Sequence, residues 1–128
     1  MSGAKGSRTE RELLHMFLEI SWGAIRIAGS GKTESAPDLL AGHPGKLLVI
    51  ECKSSKKPAI YINKEEILNV MSYSNKFGGE PWYAFRFNHM PWKFVPAHTL
   101  LANNKVTPEF GISFEILILK DKKTMEQL

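Results

Sequence analysis

The chain has 128 residues, 43% hydrophobic and 23% charged, the length and balance of one ordinary globular domain. No apolar run approaches the ~20 residues of a membrane span, the polar start MSGAKGSRTERE lacks the apolar core of a secretory signal, and the single Cys52 excludes an internal disulfide. The expectation is a cytoplasmic protein with no membrane contact, and because the net charge of +4 lies wholly in the first half (10 basic against 6 acidic residues in 1–64, 7 against 7 in 65–128), nucleic acid is the first partner to consider.

Residues 1–6, dominated by Gly, Ser and Lys, read as a mobile arm. Leu13, Leu14, Phe17 and Leu18 form a helical stripe that predicts a helix from Ser7 to Ile20. Ser7 and Glu10 have capping-box spacing at its start, and Gly23 reads as its stop. Residues 24–28 predict a short strand and 29–36 a flexible loop. Strands at Asp38–Ala41 and Lys46–Lys53 flank the turn Gly42-His43-Pro44-Gly45 as a hairpin. A second helix opens at Asn63-x-x-Glu66 and ends at Gly78-Gly79. Residues 81–88 and 92–96 are strands around a turn at His89-Met90-Pro91, a short helix follows near 97–102, and ISFEILIL (112–119) reads as a closing strand. The fold class is α/β: a single domain over residues 1–128 with a central mixed sheet flanked by helices.

Along the strand Lys46–Lys53 side chains alternate, so Leu47, Val49, Glu51 and Lys53 share one face while Leu48, Ile50 and Cys52 share the other. The hairpin brings Asp38 to the neighbouring strand beside Glu51. Two carboxylates next to a lysine suit a hard cation such as Mg²⁺, with Mn²⁺ as a substitute, because such an ion takes one or two carboxylates and fills its remaining positions with water and phosphate. Lys53 then orients water and offsets charge on the phosphate. The bland alternative is a solvated Glu51–Lys53 pair and a turn aspartate; placement of all three on one face of two adjoining strands in the basic half argues for the site.

Other residues admit two readings. Glu10 heads the stripe 10, 13, 14, 17 and faces the sheet, either as a capping glutamate or as a further site carboxylate. Arg26 and Ser30 flank the loop leading to Asp38, where they either hold a phosphate or are a surface arginine and a turn serine. Lys5, Arg8, Arg11, Lys32, Lys56, Lys57 and Lys64 fall, with Lys53, in segments adjoining the site and are candidate phosphate contacts. On the helix 64–77, Tyr73 and Phe77 form a flank beside Ile67, Val70, Met71 and Ser74; they either meet a partner subunit or join one broad core. His15, His43, His89 and His98 lack metal-ligand spacing and read as surface residues. Cys52 reads as a small core residue, and Trp82, Tyr83, Phe85, Phe87 and Trp92 as core or subunit contacts.

The residues Pro37-Asp38, then Glu51-x-Lys53 after twelve intervening positions, match the pattern of the PD-(D/E)xK nucleases. The segments KGSRTERELL (5–14), IRIAGS (25–30), PDLLA (37–41), LVIECKS (48–54), FGGEPW (77–82) and WKFV (92–95) together resemble the archaeal-type Holliday-junction resolvases over most of the chain. That resemblance implies a restriction-endonuclease-like core and a homodimer that cuts two opposed strands of a four-way DNA junction. It assigns Glu10, Asp38 and Glu51 to the metal site, Lys53 to catalysis, and functional roles to Arg11, Arg26 and Ser30, with no small-molecule cofactor and a nucleoid-associated location. A related nuclease acting on linear duplex, or a branched-DNA binding protein that does not cut, are the alternatives.

Overall fold

A computed structural model describes residues 4–27 and 36–119, with side chains of the first helix from Arg8 onward. The elements in chain order are α1 (Ala4–Glu19), β1 (Gly23–Arg26), β2 (Leu39–His43), β3 (Lys46–Ser55), β4 (Ile60–Tyr61), α2 (Lys64–Phe77), β5 (Glu80–Phe87), β6 (Lys93–Pro96), a short 3-10 helix (Ala97–Leu101), β7 (Lys105–Val106) and β8 (Ile112–Ser113). Residues 114–119 are again helical. Six strands make one sheet in the order β1-β2-β3-β5-β6-β8, and β4 pairs with β7 in a separate ribbon. Only β3 and β5 run parallel within the six-stranded sheet. A parallel pair needs a long crossover, and the segment carrying β4 and α2 supplies it.

Alternation along β3 and β5 sends apolar residues to both faces of the sheet. Leu13 and Phe17 of α1 pack with Leu39, Ala41, Leu48, Ile50, Ala84 and Phe94. On the other face Ile67 and Val70 of α2 pack with Tyr83, Phe85, Val95 and Leu100. Each fully buried Leu, Ile or Phe contributes about 1.5–3 kcal/mol, so the two clusters fix both helices against the central strands. Trp82, Tyr83, Phe85, Phe87 and Trp92 are all core residues. Cys52 packs against the α1 cluster, and His15, His89 and His98 are exposed, as expected for each.

Both principal helices end in the same motif. For α2, Gly78 at φ 73° donates its N–H to the carbonyl of Asn75, and Gly79 to that of Ser74; at the other end the Asn63 side chain accepts from the Glu65 N–H. In α1 the left-handed residue is Ser21, φ 68°, with Ser21 N–H donating to Leu18 and Trp22 N–H to Phe17. This is a Schellman closure, and the apolar contact that accompanies it is Phe17 against Trp22, ring centroids 5.3 Å apart.

Several expectations are corrected. The helix begins at Ala4, so residues 4–6 belong to it rather than to an arm; once the Leu13 and Phe17 turns are packed, extending a helix by a few polar residues is easy. Ser7 lies inside α1 rather than at its start. Gly23 opens β1 instead of stopping the helix. ISFEILIL is a strand only at Ile112–Ser113: the Ser113 hydroxyl accepts from the Ile116 N–H, a cap that turns the chain into a helix. Phe114 and Leu117 then bury on one side while Ile116 and Leu119 stay exposed. The strand expected over 24–28 ends at Arg26, Asp38 immediately precedes β2, and β3 continues past Lys53 to Ser55. Ser30, Lys32 and the loop around them lie outside the described residues.

Candidate active site

The site grows out of the β2–β3 hairpin. Leu39 pairs with Ile50 and Leu40 with Val49, which sets Asp38, one residue earlier, against Glu51, one residue later. Asp38 is pinned through its backbone from both sides: its N–H donates to the Ile50 carbonyl at 3.1 Å and its carbonyl accepts from the Ile27 N–H at 2.9 Å. Its carboxylate Oδ2 accepts from the Cys52 N–H at 2.8 Å, and the residue is buried. In the parallel pair Glu51 matches Tyr83 and Lys53 matches Phe85, so Glu51, Lys53 and Tyr83 share the face on which α2 packs.

Helices approach from both sides. Glu10 of α1 is 4% exposed, and its Oε1 accepts from Arg26 Nε at 2.9 Å. From α2, Glu66 Oε1 accepts from Lys53 Nζ at 2.8 Å while Glu66 Oε2 accepts from the Tyr83 hydroxyl at 2.6 Å. The structure thus brings Asp38, Glu51 and Lys53 together as the sequence predicts, and adds Glu10 with Arg26. Glu10 acts as no cap; a charge-assisted bond this sheltered is worth roughly 1.5–3 kcal/mol and holds the carboxylate toward the sheet. Arg8, Arg11, Lys56, Lys57 and Lys64 are exposed near these elements. The Lys5 side chain, Ser30 and Lys32 lie outside the described residues.

Glu66 and Tyr83 are the members that pattern reading misses. Asn63-x-x-Glu66 reads as a helix start, which it also is, and Tyr83 reads as a core aromatic. The available signal is the hydroxyl: a tyrosine buried among phenylalanines needs a hydrogen-bond partner.

Electrostatics tie the carboxylates into one system. Burial first, and then the charge of Asp38, push the Glu51 carboxyl up to about 8, against the opposing pull of Lys53. Burial and Asp38 also raise the Glu10 carboxyl, partly offset by Arg26. Burial and the bond to Glu66 raise the Tyr83 phenol, which keeps it a donor. Burial drives the Cys52 thiol well up, so it is no nucleophile. Among the described residues no three His, Cys, Asp or Glu side chains form a ready-made metal cage. The donor set nonetheless fits a hard divalent cation, which needs only one or two protein carboxylates, and a half-buried glutamate whose ionisation is opposed by a neighbouring aspartate is a group that a cation would relieve.

A mixed sheet with helices on both faces, carrying paired carboxylates and a lysine at adjoining strand ends, defines a nuclease-type core. Its fold is similar to that of a bacterial homing endonuclease, I-Ssp6803I (TM-score 0.53, 11% identity, 83% of this chain and 78% of that one), a likeness of fold alone. The chain belongs to the archaeal Holliday junction resolvase (Hjc) family, whose model matches residues 1–125. It is 45% identical over 84 residues to the crossover junction endodeoxyribonuclease Hjc of Methanocaldococcus jannaschii, covering 66% of this chain and 60% of that protein. It is 33% identical over 103 residues to Hjc of Archaeoglobus fulgidus, covering 80% and 76%. The 1.6 Å resolution structure of Archaeoglobus fulgidus Hjc, a Holliday junction resolvase, is similar with TM-score 0.66 at 32% identity, over 74% of this chain and 75% of that one.

The raised Glu51 carboxyl has a consequence for stability. Its folded-state value of about 8 lies above the ordinary 4.5, so the folded protein holds the proton more tightly than the unfolded chain does. The stability this confers is complete below about pH 4.5 and is lost as pH rises to about 8. In metal-free protein, Glu51→Gln should therefore gain on the order of 1 kcal/mol or more over the parent at pH 8 and little at pH 4.5. Denaturant titrations at the two pH values check this; a parent at least as stable as the variant at pH 8 would contradict it.

Proposed function

We propose that the chain is a divalent-metal-dependent endonuclease that resolves four-way DNA junctions by paired cuts in opposed strands, acting as a homodimer alongside the chromosome. The observation that carries this reading is the electrostatically coupled pair Asp38 and Glu51 with Lys53 beside them, in a chain of the Hjc family. Asp38 and Glu51 would hold Mg²⁺ or Mn²⁺, with Glu10 adjoining. When bound, such an ion polarises a phosphodiester and makes a water more acidic.

The chain's own residues do the rest. Asp38, fixed by the backbone bonds at both of its ends, would set where the ion is held. Lys53 supplies an ammonium that offsets charge growing on the phosphate as the bond to water forms. Arg26 keeps Glu10 oriented toward the sheet and adds positive charge near the strand ends. Arg8 lines a cleft of about 230 Å³ with Ser54, Arg86 and Asn88; with Arg11, Lys56, Lys57 and Lys64, such groups hold backbone phosphates, which give position without sequence. Junction selectivity then comes from symmetry, because two sites fixed by a two-fold axis can both be filled only where DNA branches.

The surface supports a dimer. Phe77 is 52% exposed, and Tyr73 stacks on Phe77 with ring centroids 5.3 Å apart, so this flank of α2 is left out of the protomer core. An apolar cleft of about 370 Å³ lined by Ile25, Leu40 and Leu47 lies open on the β1–β2–β3 edge.

The reading is tested by cleavage of an immobile four-way junction and of a linear duplex of the same sequence, with and without Mg²⁺. The expected result is Mg²⁺-dependent cutting of the junction alone, abolished by Asp38→Asn, Glu51→Gln or Lys53→Ala while junction binding persists, since the first two changes remove metal-binding charge without removing basic surface. Equal cutting of both substrates would make the chain a duplex nuclease, and tight junction binding without cutting would make it a binding protein. A sedimentation-velocity measurement checks the dimer: the parent should sediment as a dimer at micromolar concentration and the double variant Tyr73→Ala, Phe77→Ala as a monomer, whereas a monomeric parent would refute it.

A further inference from the structure

The Lys53 ammonium does not stand alone on its strand. Its Nζ is bonded to Glu66 Oε1 at 2.8 Å, and the second oxygen of the same carboxylate is taken at 2.6 Å by the hydroxyl of Tyr83. Both anchors are rigid. Tyr83 is 0% exposed, stacks on Phe85 and is the register partner of Glu51 on the next strand. Glu66 sits in the first turn of α2, whose start is fixed by the Asn63 cap and whose next residue, Ile67, is fully buried.

An exposed lysine–glutamate pair swings freely and contributes little. Here rotation of the carboxylate would break a short bond to a buried phenol, and a buried hydroxyl left without a partner is costly. The carboxylate therefore has one orientation, and it presents one oxygen to Lys53. We infer that Glu66, held by Tyr83, is a positioning residue that fixes the Lys53 ammonium on the face it shares with Glu51. The two groups act through Lys53 and touch no reacting atom. The inference rests on the proposed nuclease function and adds to it the means by which α2, on the far side of the sheet from Glu10, takes part in the chemistry.

The test is a double-mutant cycle on single-turnover cleavage at saturating protein and Mg²⁺, together with junction affinity measured separately. Glu66→Gln and Tyr83→Phe should each slow cleavage roughly tenfold or more, as expected for misplacement of a reacting group, with affinity unchanged. Glu66→Asp should recover part of the rate. In a Lys53→Arg background, which retains a cation of different shape, Glu66→Gln should slow cleavage far less than it does in the parent, because the group it positions is already displaced. Thermal unfolding of each variant separates lost positioning from lost folding, and Tyr83→Phe keeps the buried ring should Glu66→Gln fail to fold. A parental rate in Glu66→Gln or Tyr83→Phe, or the same proportional loss in both backgrounds, would overturn the inference. Running the cycle on junction and linear duplex keeps the two questions apart: cutting of both substrates defeats the resolvase reading while the cycle still decides the role of Glu66, and a parent that cuts neither defeats both.

Discussion

The pairing of Asp38 with Glu51 is the constraint on which the site depends. Two carboxylates side by side on neighbouring chain segments repel one another, and the fold holds them there largely through backbone bonds and apolar packing. The Asp38 backbone is bonded on one side to Ile50 and on the other to Ile27, and the β2–β3 register is locked by Leu39, Ala41, Leu48 and Ile50 beneath α1. Glycine at 42 serves the same register, because a methyl group there would strike the backbone carbonyl of Lys46. The cost of that placement falls on Glu51, whose carboxyl is pushed up to about 8, by burial first and then by the charge of Asp38.

The positive charges around the pair both lie on the sheet, and the carboxylates that hold them come from opposite layers of the fold. Arg26, at the end of β1, is bonded to Glu10 of α1; Lys53, at the end of β3, is bonded to Glu66 of α2. Each cation is held by a carboxylate from a helix. The two helices cover opposite faces of the sheet, and the site lies at the strand ends where both reach it.

Much of this was legible in the sequence because it is local. The apolar alternation through Leu47–Lys53 puts Glu51 and Lys53 on one face, the Gly42–Gly45 turn makes the hairpin that brings in Asp38, and Asn63 and Gly78 mark the ends of α2. Glu10 and Arg26 admitted two readings from the residues and a site role from the family resemblance, and their contact spans sixteen residues. What was misread has equally physical causes. Ser7 and Glu10 have capping-box spacing, yet the helix extends past them because packing further along supports it. ISFEILIL alternates and also carries apolar residues three apart, and the Ser113 cap decides for helix. Glu66 and Tyr83 were missed as site residues because their meeting depends on the β3–β5 register, set by a crossover that no local pattern encodes.

The proposal that Asp38 and Glu51 hold a cation is tested most directly by proton linkage. With its carboxyl at about 8, Glu51 is largely protonated at pH 7 in the free protein and must release that proton when it binds an ion. Mg²⁺ titration calorimetry at pH 7, repeated in buffers of different ionisation enthalpy, measures the release. Mg²⁺ binding should release protons at pH 7 in the parent, distinctly fewer in Glu51→Gln, and fewer as pH rises above 8. Mg²⁺ binding that releases no proton at pH 7, or that is unchanged by Glu51→Gln and Asp38→Asn, would contradict it.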